Sequence, residues 1–240
     1  MKKPASLPVK SDFSHIRDWV FDLDNTLYPH HINLFAQIDR NMTAFVAELL
    51  QLEPDAARTI QKQYYRDHGT TLAGLMLHHG INPNDFLERA HAIDYSALLP
   101  DEHLGSAIRS LPGRKFIFTN GTVKHAEAAA RALGILDHFD DIFDIVAADY
   151  VPKPAGETYD KFLSLNRVGT ANAAMFEDLP RNLEVPKSLG MKTVLLVPRN
   201  LGEAVLETWE RADEAADAGH ADYMTDDLTA FLHSVLHAIG

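Results

Sequence analysis

The sequence predicts an α/β fold: a doubly wound parallel sheet with an inserted all-helical segment. Two observations lead there. Beyond residue 112, short apolar runs alternate with helical patterns, and between residues 28 and 112 no alternating strand pattern occurs. Strands that alternate with helices pair in parallel through crossovers, which cover both sheet faces. The expected division is a core of residues 1–28 and 112–240 and a helical insertion of residues 29–111.

Each element has its own signal. Residues 1–14 combine lysines, prolines and serines without periodicity and read as a loose arm. The stretch 20–28, VFDLDNTLY, is an apolar strand that runs into two carboxylates and a turn. Ile38, Met42, Phe45, Val46 and Leu49 then recur at helical spacing and outline one apolar face. Further helices are expected after Pro54-Asp55 and after Asn82-Pro83-Asn84, with Asn84 as N-cap. The stretch 115–121, KFIFTNG, repeats the pattern of an apolar strand ending in small polar residues. Ala126, Ala129, Ala130 and Leu133 form the face of the helix after it, which Gly134 ends. Apolar runs at 142–147, 173–176, 193–197 and 221–224 supply the remaining strands, with helices around 157–165, after Asp178 and at the end of the chain. Pro186 fits the helix after Asp178 if it falls near the first turn; otherwise it must bend that helix.

Composition narrows the function classes. With 240 residues, 46% hydrophobic and 23% charged, the chain is of ordinary globular make-up. A formal charge of −12 and the lack of a Lys/Arg cluster speak against a nucleic-acid polymer as partner. No run approaches the roughly 18 apolar residues of a membrane span, and the beginning of the chain has no secretory apolar segment, so a cytoplasmic protein with no membrane contact is expected. There is no cysteine, so disulfides and thiolate metal sites are excluded.

Asp22 and Asp24 stand two apart in an extended stretch, which puts both carboxylates on one side at the strand's carboxyl end. Such a pair either shares a divalent cation, or keeps one proton and offers it as an acid, or simply forms a turn. Ligands of open parallel sheets sit beyond the carboxyl ends of the strands, so residues at those positions share one crevice. The positions read Asp22 and Asp24, Thr119 and Asn120, Lys153, and Glu177 with Asp178. Four carboxylates suit Mg²⁺, while a hydroxyl, an amide and an ammonium suit phosphate oxygens. In the insertion, Tyr64, Tyr65, Arg66 and His68 crowd ahead of an apolar run and either line a substrate pocket or pack the helices. The pairs His30-His31 and His78-His79 read as solvated, because neighbours on a helix do not face one another.

In order along the chain, DLDNT at 22–26, Thr119-Asn120, Lys153 and EDLPRN at 177–182 resemble the four motifs of the haloacid dehalogenase superfamily of phosphotransferases. The insertion is similar in position to that family's cap. Its YYRDHGTTLAGLM and HHGIN, with DNTLYP before it, are similar to the pyrimidine 5′-nucleotidase branch. The resemblance implies that Asp22 attacks phosphorus and becomes an aspartyl phosphate, that Asp24 is the acid and then the base, and that Thr119 and Lys153 hold phosphoryl oxygens. It implies Mg²⁺ held by the Asp22 carboxylate, the Asp24 backbone carbonyl and Asp178, with Glu177 close by. From their positions and residue types, Asn120, Tyr64, Tyr65, Arg66 and His68 are the expected substrate contacts. Asn182 stands where the last motif offers a further carboxylate in other members. The implied activity is Mg²⁺-dependent hydrolysis of a small phosphorylated metabolite, with a pyrimidine nucleoside 5′-monophosphate as one candidate. A phosphomutase and a phosphoacceptor receiver module are the alternatives, although a receiver has no use for so long an insertion.

Overall fold

The computed structural model describes residues 7–198 and 218–240. Its sheet has six strands, all parallel, in the order β3-β2-β1-β4-β5-β6. The strands are β1 (Asp18–Phe21), β2 (Arg114–Phe118), β3 (Asp141–Phe143), β4 (Ala173–Glu177), β5 (Lys192–Leu196) and β6 (Tyr223–Thr225). Every residue of β1 and β4 is buried, because helices cover both faces and the central strands have no solvent side. Odd and even positions separate accordingly. Trp19, Phe21, Ala174 and Phe176 join one apolar cluster, while Val20, Phe116, Ala173 and Met175 join the cluster on the other face.

The expected loose arm is corrected in its later part. Residues 10–13 form a short helix, α1 (Lys10–Phe13). Phe13 is fully buried against Trp19, Tyr223 and Phe231, with ring centroids 6.2, 5.3 and 6.0 Å away. Tyr223 and Phe231 lie more than 200 residues along the chain, so no local pattern announces the anchor. Residues 1–6 lie outside the described residues.

After β1 the chain runs through α2 (Phe35–Leu50), α3 (Pro54–His68), α4 (Thr71–His79) and α5 (Pro83–Ala90). Ile38, Phe45 and Val46 are buried as the spacing predicts, but Leu49 turns outward and is 40% exposed. Asn82, not Asn84, caps α5: its side chain accepts the Asn84 N–H at 3.0 Å, and Pro83 occupies the first turn where no N–H is needed. A polar knot ties α2 to α3. Asp39, 9% exposed, accepts from Arg58 Nη1 at 2.6 Å, Gln61 Nε2 at 2.6 Å and Lys62 Nζ at 2.7 Å. The next helix, α6 (Glu102–Ser110), lies within the 29–111 span but turns Leu104, Ala107 and Ile108 into the core, against the last helix α10 (Leu228–Ile239).

Among the described residues, the remaining α-helices are α7 (Val123–Ala132), α8 (Gly156–Asn166) and α9 (Glu184–Ser188). Of the apolar run 142–147 only Ile142 and Phe143 lie in β3, since Asp144 turns the chain by accepting from Val123 N at 2.9 Å and Ala147 N at 2.8 Å. Pro186 is the third residue of α9, where its missing N–H interrupts no helical bond.

Candidate active site

The strand ends bring the predicted residues together around Lys153. Its side chain is 1% exposed, and the ammonium donates to Asp22 Oδ1 at 2.7 Å, Glu177 Oε1 at 2.8 Å and the Phe118 carbonyl at 2.8 Å. Three acceptors satisfy its three donors, which is what a buried ammonium needs. Asn120 holds the Lys153 loop through both ends of its amide. Oδ1 accepts the Lys153 N–H at 2.8 Å, and Nδ2 donates to the Lys153 carbonyl at 3.2 Å. Asn120 borders the cavity, but its amide is committed to that loop. Thr119 is 2% exposed, and its hydroxyl oxygen accepts the Gly121 N–H at 2.9 Å, leaving its hydrogen available.

Glu177 is already heavily used. Oε1 accepts from Lys153 and from Asn182 Nδ2 at 2.6 Å, and Oε2 accepts the Leu179 N–H at 2.7 Å. Asn182 therefore orients Glu177, while its own Oδ1 is buried without a hydrogen-bond partner. Asp178 receives Asn25 Nδ2 at 3.3 Å, and His30 Nε2 lies 3.6 Å away. His30 thus corrects the solvated reading of its pair: it lines the cavity, and burial lowers its pKa to about 4.

Charge is crowded here. Burial raises Asp22 to about 8; the Lys153 ammonium opposes this, and Glu177 and Asp24 add to it. Burial, then Glu177 and Asp22, pushes Asp178 well above the carboxylate range. Asp22, Glu177 and Asp178 each offer an oxygen within 4.8 Å of the others. One ammonium cannot balance three carboxylates, and the unpartnered Asn182 oxygen adds a hard acceptor beside them. This donor set fits a divalent cation such as Mg²⁺.

Asp24 has different neighbours. Tyr28 Oη and His125 Nε2 both reach its Oδ1, the latter at 2.8 Å. Burial opposes its ionisation, yet His125 and Tyr28 outweigh burial and leave its pKa lowered. His125 in turn meets Tyr95 Oη at 2.8 Å through Nδ1, and its ring stacks on His91 with centroids 4.6 Å apart and planes 17° apart. The sequence reading did not single out Tyr28, Tyr95, His91 or His125. The one local signal was His125 beside Ala126 on the apolar face of α7, a polar side chain where core is expected.

Above these groups lies a cavity whose far wall is apolar, formed by Phe35, Ile38, Met42, Leu72, Phe86 and Leu87 from the inserted helices. Of the four residues singled out on α3, only Tyr65 lines it, with the Arg181 guanidinium 4.4 Å over its ring. Tyr64, Arg66 and His68 are not brought to the cavity. Tyr64 and His68, four apart on one helix face, turn toward the end of α4, where Tyr64 Oη meets His79 Nε2 at 2.7 Å and His68 Nε2 meets His78 Nε2 at 3.0 Å. Arg66 is exposed.

The sequence profile of the haloacid dehalogenase-like hydrolases matches residues 19–190. The chain belongs to this family. Among curated proteins, this haloacid dehalogenase-like hydrolase is 27% identical over 193 residues to Phosphate metabolism protein 8 of Saccharomyces cerevisiae, a match covering 73% of the chain and 60% of the relative. The chain thus spans about three fifths of that relative's length. Its fold is similar to that of a HAD phosphatase from Thermococcus onnurineus, with TM-score 0.58 and 16% identity over 94% of the chain and 98% of the other. It is similar as well to an L-2-haloacid dehalogenase from Xanthobacter autotrophicus, with TM-score 0.56 and 17% identity over 92% and 98% of the two chains. Among the described residues no helix is long and apolar enough to cross a membrane.

Proposed function

We propose that this hydrolase is a Mg²⁺-dependent phosphomonoesterase that works through an aspartyl phosphate on Asp22. The observation that carries the reading is the placement of Asp24 beside Asp22: a second carboxylate, bordering the same cavity, held by two hydrogen-bond donors rather than by the Lys153 network. Removing a halide needs a nucleophilic carboxylate but no proton donor for the leaving group, whereas an alkoxide leaving from phosphorus needs one. The dehalogenase neighbours share the fold, and the Asp22–Asp24 pairing favours the phosphatase branch.

In this mechanism Asp22 is the nucleophile. Lys153, whose three donors are committed, restrains the Asp22 carboxylate and supplies positive charge beside it, while the Thr119 hydroxyl has a hydrogen to donate to a phosphoryl oxygen. The Asp22 carboxylate, the Asp24 backbone carbonyl and Asp178 would hold Mg²⁺. Glu177 stays with Lys153, and Asn182 Oδ1 is left for a coordinated or bridging water. When bound, the cation neutralises the carboxylate cluster and the phosphoryl oxygens. We take α2–α5 as the cap that chooses the leaving group, with α6 assigned to the core because of its packing on α10. The resemblance to the pyrimidine 5′-nucleotidases makes a pyrimidine nucleoside 5′-monophosphate the first substrate to test, with Tyr65 and the apolar wall to receive its leaving group. The site itself is consistent with other small phosphorylated metabolites. The reading places the enzyme in the cytoplasm.

The test is a phosphate-release screen of phosphorylated metabolites with Mg²⁺, run beside Asp22→Asn. Steady release over many turnovers that Asp22→Asn abolishes, with the fold intact by circular dichroism, is the expected result. Turnover near the parent rate in that variant would overturn the covalent mechanism, and a single stoichiometric phosphorylation without release would favour a receiver.

A further inference from the structure

We infer that His125 is a positioning residue for Asp24, locked from behind by Tyr95 and His91, and that it makes Asp24 Oδ2 the atom that exchanges the proton with the leaving oxygen. The inference rests on the phosphomonoesterase reading and deepens it.

A carboxylate oxygen only accepts hydrogen bonds, so the 2.8 Å contact from His125 Nε2 to Asp24 Oδ1 fixes the hydrogen on Nε2. Nδ1 is hydrogen-bonded to the Tyr95 hydroxyl at 2.8 Å. Tyr28 donates to the same Oδ1. Two donors therefore occupy Oδ1, and Oδ2 has no hydrogen-bond partner among the described residues, although Asp24 borders the cavity. The arrangement is available to both protonation states, since Oδ1 remains an acceptor when Oδ2 carries a hydrogen, although the two donors bond the ionised form more strongly.

The His125 ring has little freedom to move. Its side chain is 0% exposed, its backbone N–H is capped by Thr122 Oγ1 at 3.2 Å, and the His91 ring lies flat against it. His91 is itself held, its Nδ1 donating to the Leu87 carbonyl at 3.0 Å. His91 and Tyr95 belong to the segment that leads from α5 back to α6, so the seating of the inserted helices reaches Asp24 through two rings.

The chemistry balances in two steps. An Asp22 oxygen bonds to phosphorus as the bond to the leaving oxygen breaks, and the proton on Asp24 Oδ2 passes to that oxygen. Water then attacks phosphorus, its proton returns to Asp24 Oδ2, and the bond from Asp22 to phosphorus breaks.

A misplaced acid harms poor leaving groups more than good ones, and a merely structural defect does not discriminate between them. The experiment measures kcat/KM, with saturating Mg²⁺, for glycerol phosphate and para-nitrophenyl phosphate in the parent, His125→Phe, His125→Gln and Tyr95→Phe. We expect His125→Phe to lose at least about tenfold more on glycerol phosphate than on para-nitrophenyl phosphate. His125→Gln, whose terminal N–H reaches as far as Nε2, should recover much of the difference, and Tyr95→Phe should fall between parent and His125→Phe. Equal losses on both esters, or no loss on either, would overturn the inference while leaving the phosphomonoesterase reading in place. A parent that hydrolyses neither ester nor any metabolite in the screen would overturn both.

Discussion

Lys153 and Asp22 lie 131 residues apart in sequence and 2.7 Å apart in space, and the same ammonium also neutralises Glu177. Removing one partner of a buried ion pair leaves uncompensated charge, which typically costs about 3–5 kcal/mol. Lys153→Met should therefore lower unfolding stability by roughly that amount and abolish phosphate release. Adding Glu177→Gln should return part of the stability but none of the activity. Denaturant unfolding of the two variants checks this, and an unchanged midpoint in Lys153→Met would contradict the pairing.

Metal removal should act on stability as well as on rate. EDTA should silence turnover and Mg²⁺ should restore it, whereas Zn²⁺ should support little, because the site offers carboxylate, carbonyl and amide oxygens rather than thiolates or a convergent set of imidazoles. Because burial and mutual proximity disfavour the charged forms of Asp22 and Asp178, which a cation would bind, Mg²⁺ should also raise the melting temperature in a concentration-dependent manner. In Asp178→Asn that rise should shrink. A melting temperature indifferent to Mg²⁺ at millimolar concentration would remove the site.

The Asp39 knot gives a pH-dependent term. Burial opposes the charge of Asp39, but Lys62 and Arg58 outweigh burial and leave its pKa lowered. A carboxyl whose folded pKa is below its unfolded value of about 3.9 contributes stability above that value and loses it as pH falls through the folded one. Asp39→Asn should thus be clearly less stable than the parent at pH 7, and the gap should close under acid. Unfolding curves at pH 7 and pH 3 measure it, and a gap that widened in acid would reverse the sign.

Cap substitutions should split by helix face. Tyr65→Ala should cut kcat/KM for the preferred metabolite by about tenfold, the loss of one well-placed aromatic or hydrogen-bonding contact. Arg66→Ala, on the exposed side, should change it little. Comparable losses at both positions would mean that the cap moves farther over the site than this arrangement requires.

The sheet was legible because buried parallel strands are written as apolar runs that end in polar residues, and Asp22, Thr119, Lys153 and Glu177, which the strand-end rule gathers, border one cavity in the structure. Spacing could not reveal long-range choices. Phe13 is recruited by rings at 223 and 231, α6 by α10, and His125 by an aspartate 101 residues earlier. The aromatic cluster on α3, read as either pocket lining or helix packing, divides between the two for a local reason: a 100° step per residue sends Tyr64 and Tyr65 to different partners.

The strand that carries Asp22 is bonded on both sides, to β2 and β4, and the Asp22 N–H itself donates to the Phe176 carbonyl at 2.9 Å. Amides bonded in this way exchange with deuterium only when the whole sheet opens, whereas exposed helix ends such as the close of α4 exchange through local fraying. Deuterium uptake should therefore mark the strand that leads to Asp22 as the last part of the chain to label. On the phosphomonoesterase reading, whatever adjustment substrate requires would then fall to the inserted helices, over a strand backbone that stays still.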